Sequence, residues 1–206
     1  VSRGLSQAFM ESYQVLEHLS DMTGIENNSE NNYVFFYNDA PHEPMMLKEP
    51  EYIPYPNVDN TAYDEAHKDR FINGDHSLNV ENDEQMVHYQ SNMGVLLKVG
   101  EWLNYLRANG VYDNTRIIIV ADHGYYLYQS DIFQWERNGK KIDISNYFPL
   151  LMVKDFDAKG FNISDEFMTN ADTPVLAAEG LINDPVNPFT GKPLTDTEKT
   201  AHAQFI

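Results

Sequence analysis

The chain has 206 residues and a formal net charge of −18, from 32 acids against 14 bases, with 42% hydrophobic and 13% aromatic residues. That length fits one sizeable domain better than two small ones, and the apolar content excludes global disorder. The acidic field repels nucleic acid and anionic membranes, and the absence of cysteine removes disulfides, thiolate catalysis and cysteine-based metal sites.

Leu5 to Met22 places Phe9, Tyr13, Leu16 and Leu19 at steps of three and four, which predicts a helix with one buried face. Ser6 can cap it and Thr23-Gly24 ends it. After the polar turn Glu26 to Asn32, the run Tyr33 to Tyr37 (YVFFY) reads as a short buried strand. From Asn38 to about Val80 periodicity disappears, and prolines at 41, 44, 50, 54 and 56 oppose helix and central strand. So long a connection inside a compact domain is a candidate site-forming segment.

Asp83 to Asn109 is the strongest predicted helix. Met86, Tyr89, Met93, Leu96, Gly100, Leu103 and Leu106 form its stripe, Asn82 or Asp83 suits the N-cap, and Gly110 suits the stop. A strand follows at Arg116 to Ala121, and the order strand, loop, helix, turn, strand is that of a crossover unit in a parallel sheet. Phe148 to Val153 reads as another buried strand. Thr173 to Leu181 reads as a short helix with Pro174 in its first turn, and Asn183 to Pro193 as an exposed, turn-rich tail. The fold class expected is α/β, a mainly parallel sheet flanked by helices in a single domain over 1–206.

Two constellations carry chemistry. Strand Arg116 to Ala121 runs straight into Asp122, His123 and Gly124, so a carboxylate and an imidazole stand at a strand's carboxyl end, where open α/β sheets gather ligands. The pair suits a divalent ion, and the glycine allows a sharp turn or a close approach. An ordinary strand exit with polar residues at the surface gives the same three letters. The second is NDAPHEP, Asn38 to Pro44, which follows the other predicted strand; there His42, held between Pro41 and Pro44, can contact an anion or a leaving group and could face the same crevice. Its plain alternative is a proline-rich surface turn.

TRIIIVADHG after a helix ending in LNYLRANGVYDN strongly resembles the second metal-ligand block of the sulfatase-like hydrolases of the alkaline phosphatase superfamily. The likeness is to the membrane-anchored group of lipoteichoic acid synthases and phosphoglycerol transferases. NDAPHEP resembles that group's substrate-binding histidine segment, FPLLMVKDF the strand after the metal loop, and TNADTPVLAAEGLINDPVNPFTGKPL the closing segment; together they span most of Tyr33 to Leu194. The resemblance implies a partial alkaline-phosphatase-like (sulfatase) fold. It implies Asp122 and His123 as ligands of a divalent metal (Mn, Mg, Ca or Zn), and His42 as a contact to the phosphate or sulfate of a glycolipid or glycan ester.

The family's nucleophile, a threonine, serine or modified cysteine, has no counterpart before Tyr33. Thr23 in MTGIENN lacks that setting, so no catalytic residue is assigned. The chain therefore reads as the C-terminal portion of such a domain, inactive alone, and the start at Val1 agrees with a processed or excised piece. The group's setting would be the outer face of a bacterial membrane or the cell envelope, although the sequence contains no run long enough to span a membrane and no signal peptide. A bound metal would let an acidic protein accept an anionic substrate. The rival reading is a non-catalytic α/β module that binds an anionic glycan or a protein partner.

The remaining groups have plainer readings. His67 and His76 are scattered, and His88 lies off the helix stripe and should be solvated. Asp59, Asp64, Asp69 and Asp75 lack the spacing of a calcium loop and read as a solvated acidic face. Tyr125, Tyr126 and Tyr128 should pack rather than line a cleft, and Lys140, Lys141 and Lys154 should lie at the surface.

Overall fold

A computed structural model describes residues 2–28 and 31–194. In chain order the elements are β1 (Ser2–Arg3), α1 (Gln7–Glu17), α2 (Leu19–Met22), β2 (Asn57–Val58), α3 (Thr61–Ala66), β3 (Ile72–Asn73), β4 (His76–Ser77), α4 (Asp83–Ala108), β5 (Ile117–Val120), β6 (Gln134–Arg137), β7 (Lys140–Asp143), β8 (Leu151–Lys154) and α5 (Thr173–Ala178), with single 3-10 turns between several of them. They fall into two compact units, Val1–Tyr112 with Leu127–Asp143, and Asp113–Tyr126 with Ile144–Ile206.

The first unit is built on α1 and α4. Ser6 Oγ accepts the Phe9 amide at 3.4 Å, as the sequence predicts for the N-cap, and Phe9, Tyr13 and Leu16 are buried. The helix breaks at His18 and continues as α2, and Thr23 is held by Trp102 Nε1 and Tyr105 Oη from α4. The aperiodic stretch after Asn38, expected as a loop, supplies Ala40, Met45, Leu47 and Tyr52 to the same core and also forms α3 and the β3–β4 hairpin.

Helix α4 meets that segment with the partly buried Tyr89, Met93 and Val95 and with polar side chains. Gln85, Gln90 and Ser91 are buried, whereas the expected apolar stripe is only partly covered and Leu96 is exposed. Ser91 Oγ bonds both the amide and the carbonyl of Met45, and Gln90 Oε1 accepts the Leu47 amide at 3.0 Å. Gly94 completes the contact, since a Cβ there would press on Leu47 and the Tyr52 carbonyl. A segment rich in proline has backbone groups that no ladder can satisfy, and amide and hydroxyl side chains take the ladder's place. His88, expected in solvent, is half-buried on this helix, and desolvation lowers its pKa.

In the second unit β5 pairs with β8 in an antiparallel ladder, Ile117 opposite Lys154 and Val120 opposite Leu151. Helix α5 packs beside β5 and has the predicted proline in its first turn. Arg116 fastens the two: its guanidinium donates to the carbonyls of Leu176 (2.9 Å) and Glu179 (2.6 Å) and pairs with Asp155 at 2.8 Å. The Phe156 amide, and then Arg116, hold the Asp155 carboxyl below the usual carboxylate range.

The mixed α and β character is as expected, but every ladder among the described residues is antiparallel, so the parallel sheet is not seen. Tyr33 to Tyr37 forms no strand, and Tyr33, Val34, Phe35 and Tyr37 are more than two-thirds exposed. An apolar run becomes a strand only where a neighbouring strand pairs with it, and no ladder among the described residues includes this run. β5 is paired but less buried than its sequence suggests: Ile117 is buried, while Val120, at the other end, is exposed. The β6–β7 hairpin was not anticipated, although Asn138-Gly139, both with positive φ, is a strong turn signal.

Candidate functional site

The second unit carries Asp122 and His123 on the loop that leaves β5. The backbone of this loop is fixed on both sides. The Ala121 amide donates to the Leu150 carbonyl at 2.9 Å, the Gly124 amide to the Asn146 carbonyl at 3.0 Å, and Ser145 Oγ to the Tyr125 carbonyl at 2.6 Å. Gly124 lies so close to this support that a Cβ would overlap the Ser145 carbonyl oxygen, which is why no larger residue fits. The two functional side chains nevertheless project outward, 86% exposed for Asp122 and 51% for His123.

Their local hydrogen bonds set their chemistry. Asp122 Oδ1 accepts the His123 amide at 3.0 Å, which fixes the carboxylate rotamer and leaves Oδ2 free of that bond. His123 Nδ1 stands 2.6 Å from the Gly124 carbonyl oxygen. A carbonyl only accepts, so Nδ1 carries the proton and the neutral ring keeps its lone pair on Nε2. Oδ2 and Nε2 then face each other at 3.7 Å, too far for a hydrogen bond. Two donors ~2.1 Å from one tetrahedral ion would stand ~3.4 Å apart, close to this spacing. The donor set and separation therefore fit half of a divalent metal site. No group of three or more potential ligands is assembled among the described residues.

His42 belongs to the first unit. Asn38 anchors its turn, donating from Nδ2 to the Ser12 carbonyl (2.9 Å) and accepting the Ala40 amide (3.1 Å). The His42 amide closes the turn on the Asp39 carbonyl at 3.0 Å. Ala40 is fully buried beneath it and the His42 imidazole is exposed, a fixed backbone with a presented side chain.

The other candidates resolve as follows. Tyr125, Tyr126 and Tyr128, expected to pack, are each about half exposed, with Tyr126 edge-on to Tyr147. Lys141 pairs with Asp131 at the surface, and Lys154 donates to the Thr115 carbonyl at 2.9 Å. Asp59 accepts the Thr61 amide and Asp64 pairs with Arg70, so two of the four scattered acids have structural partners. An open groove of about 530 Å³ runs along α4 past Tyr13, Tyr52 and Gly94. Its cations are engaged, Lys98 with Glu101 and Arg107 with Asn104, and it contains neither His42 nor the Asp122–His123 pair.

Sequence reasoning missed Asn170, whose Nδ2 donates to the Asp122 carbonyl at 2.7 Å. A partner 48 residues away leaves no local signal. No family model, curated protein or solved structure matches this chain.

Proposed function

We propose that this chain is the C-terminal portion of a sulfatase-like domain of a phosphate- or sulfate-ester hydrolase or transferase. In this reading Asp122 and His123 contribute part of a divalent metal site. The observation that supports it most is the facing of Asp122 Oδ2 and His123 Nε2 at 3.7 Å on a braced, outward loop. The order of the resembling blocks from NDAPHEP to TNADTP adds to it. His42 is assigned the contact to an ester oxygen, as an imidazole able to donate a hydrogen bond to an anion. A parallel sheet and the nucleophile would be completed by sequence outside this chain.

A metal in such a site supplies Lewis-acid stabilisation of developing oxyanion charge and lowers the pKa of a bound hydroxyl. In this reading the loop after β5 holds the two donors and Gly124 fixes the imidazole tautomer, while the turn Asn38 to His42 presents its own imidazole. The test is to assay the full-length protein on a phosphodiester and on a sulfate ester, before and after chelation. Metal-dependent cleavage of either supports the reading. Failure to turn over both, with metal supplied, would favour a binding module for anionic glycans.

A further inference from the structure

We propose that Asn170 is a positioning residue for the Asp122–His123 pair, an inference that rests on the metal-site reading above and deepens it. The β5 ladder ends at Val120 and the Ala121 amide still donates to the Leu150 carbonyl, so the peptide between Asp122 and His123 lies beyond the last rung. The Asp122 carbonyl and the His123 amide share one peptide plane, and Asp122 Oδ1 accepts that amide at 3.0 Å, so rotation of the plane would move the bond that sets the carboxylate rotamer. Asn170 Nδ2 grips the Asp122 carbonyl at 2.7 Å and prevents this rotation.

Asn170 is itself immobilised. Asp172 Oδ2 accepts both the amide (2.6 Å) and the hydroxyl (3.1 Å) of Thr169, and this capping box closes the turn that carries Asn170. At the other end of the same segment, the Leu176 and Glu179 carbonyls accept from Arg116. Residues 170–179 are thus tied to β5 at its entry through Arg116 and at its exit through Asp122, a splint along the strand that carries the ligands. Arg116 fastens the splint to the strand; Asn170 sets the end where the donors sit. Groups behind a metal ligand typically alter affinity by ~10–100-fold when removed, and a hydrogen bond to the ligand's own peptide belongs at the low end of that range.

The test titrates the full-length protein with Mn²⁺ alone and follows paramagnetic broadening of assigned backbone amides. Asn170→Asp is the informative variant. It keeps the shape of the side chain but replaces the donor with an acceptor, and it adds a negative charge near the pair. A positioning role predicts Mn²⁺ binding at Ala121 to Gly124 weakened about tenfold, despite the added charge; charge alone would tighten it. Asn170→Ala, with no charge change, should weaken binding similarly and covers the case in which the aspartate variant does not fold. Amide shifts of the first unit should stay unchanged in both variants.

If the wild-type amides of Asp122 and His123 broaden and both folded variants bind as well or better, the role of Asn170 is overturned while the metal reading stands. If Mn²⁺ leaves those amides unbroadened in the wild type, the metal reading falls and the positioning role falls with it.

Discussion

On the proposed ester-hydrolase reading, full-length protein carrying Asp122→Ala is expected to lose more than about a hundredfold of its turnover, since changes behind a ligand alone cost ~10–100-fold in metal affinity or activity. Its fold should be intact. The Asp122 side chain is 86% exposed and accepts the neighbouring His123 amide. Removing such a surface group changes stability by less than about 1 kcal/mol. Activity and stability are therefore decoupled at this position, which distinguishes a ligand from a structural acid. Asp122→Asn should behave like the alanine variant, because a neutral amide is a far weaker donor to a hard divalent ion than a carboxylate. Steady-state turnover and thermal unfolding of the same preparations check both halves. Wild-type turnover in folded Asp122→Ala would remove Asp122 from the mechanism.

The second large effect is on stability. Arg70→Ala is expected to destabilise the first unit by about 3–5 kcal/mol, the usual consequence of stranding one member of a buried ion pair. Glu49 has a fully buried side chain, and Arg70 Nε lies 3.1 Å from its Oε2. Gln90 Nε2 donates to the other carboxylate oxygen at 2.7 Å. The Glu49 amide donates to Asn60 Oδ1, and Asn60 Nδ2 donates onward to the Leu47 carbonyl. Arg70 also pairs with Asp64 and lies over the Phe71 ring, 4.2 Å from its centroid.

Without the guanidinium, the carboxylate retains Gln90 but loses its counter-charge in a dry site. Glu49→Gln combined with Arg70→Met should recover much of the loss, since a whole buried pair is often no more stable than a neutral replacement of similar volume. Urea unfolding of the wild type, the single and the double variant reads this directly. A loss below about 1 kcal/mol in Arg70→Ala would place the pair among surface bridges of little value. The network fixes residues 45–49, immediately after the turn that carries His42.

The helices were legible in the sequence because their determinants are local. Ser6 with Phe9, Tyr13 and Leu16 announces α1, and Asn82 accepts the Gln85 amide at the start of α4. The pairing of strands was not legible. Tyr33 to Tyr37 has strand composition, but whether it is covered depends on a neighbour its own residues do not encode. The packing of α4 was legible only in part, with Tyr89, Met93 and Leu106 of the expected stripe turned inward. Gln90 and Ser91 are polar, yet they are fully buried because they satisfy the backbone of a segment full of prolines. Counting apolar periodicity cannot find such a contact. At the candidate site, Asp122 and His123 were readable from their place at the end of an apolar run. The support beneath them was not, since Asn146 and Asn170 are distant in sequence and the overlap that excludes a side chain at Gly124 appears only in three dimensions.

The central claim is that Asp122 and His123 hold a metal ion together. Metal content of purified full-length protein, measured for wild type, Asp122→Ala and His123→Ala after equal dialysis against dilute metal, tests it most directly. The facing of Oδ2 and Nε2 predicts bound metal in the wild type and its loss in each folded variant. Equal metal content in all three proteins, or none in the wild type, would contradict it.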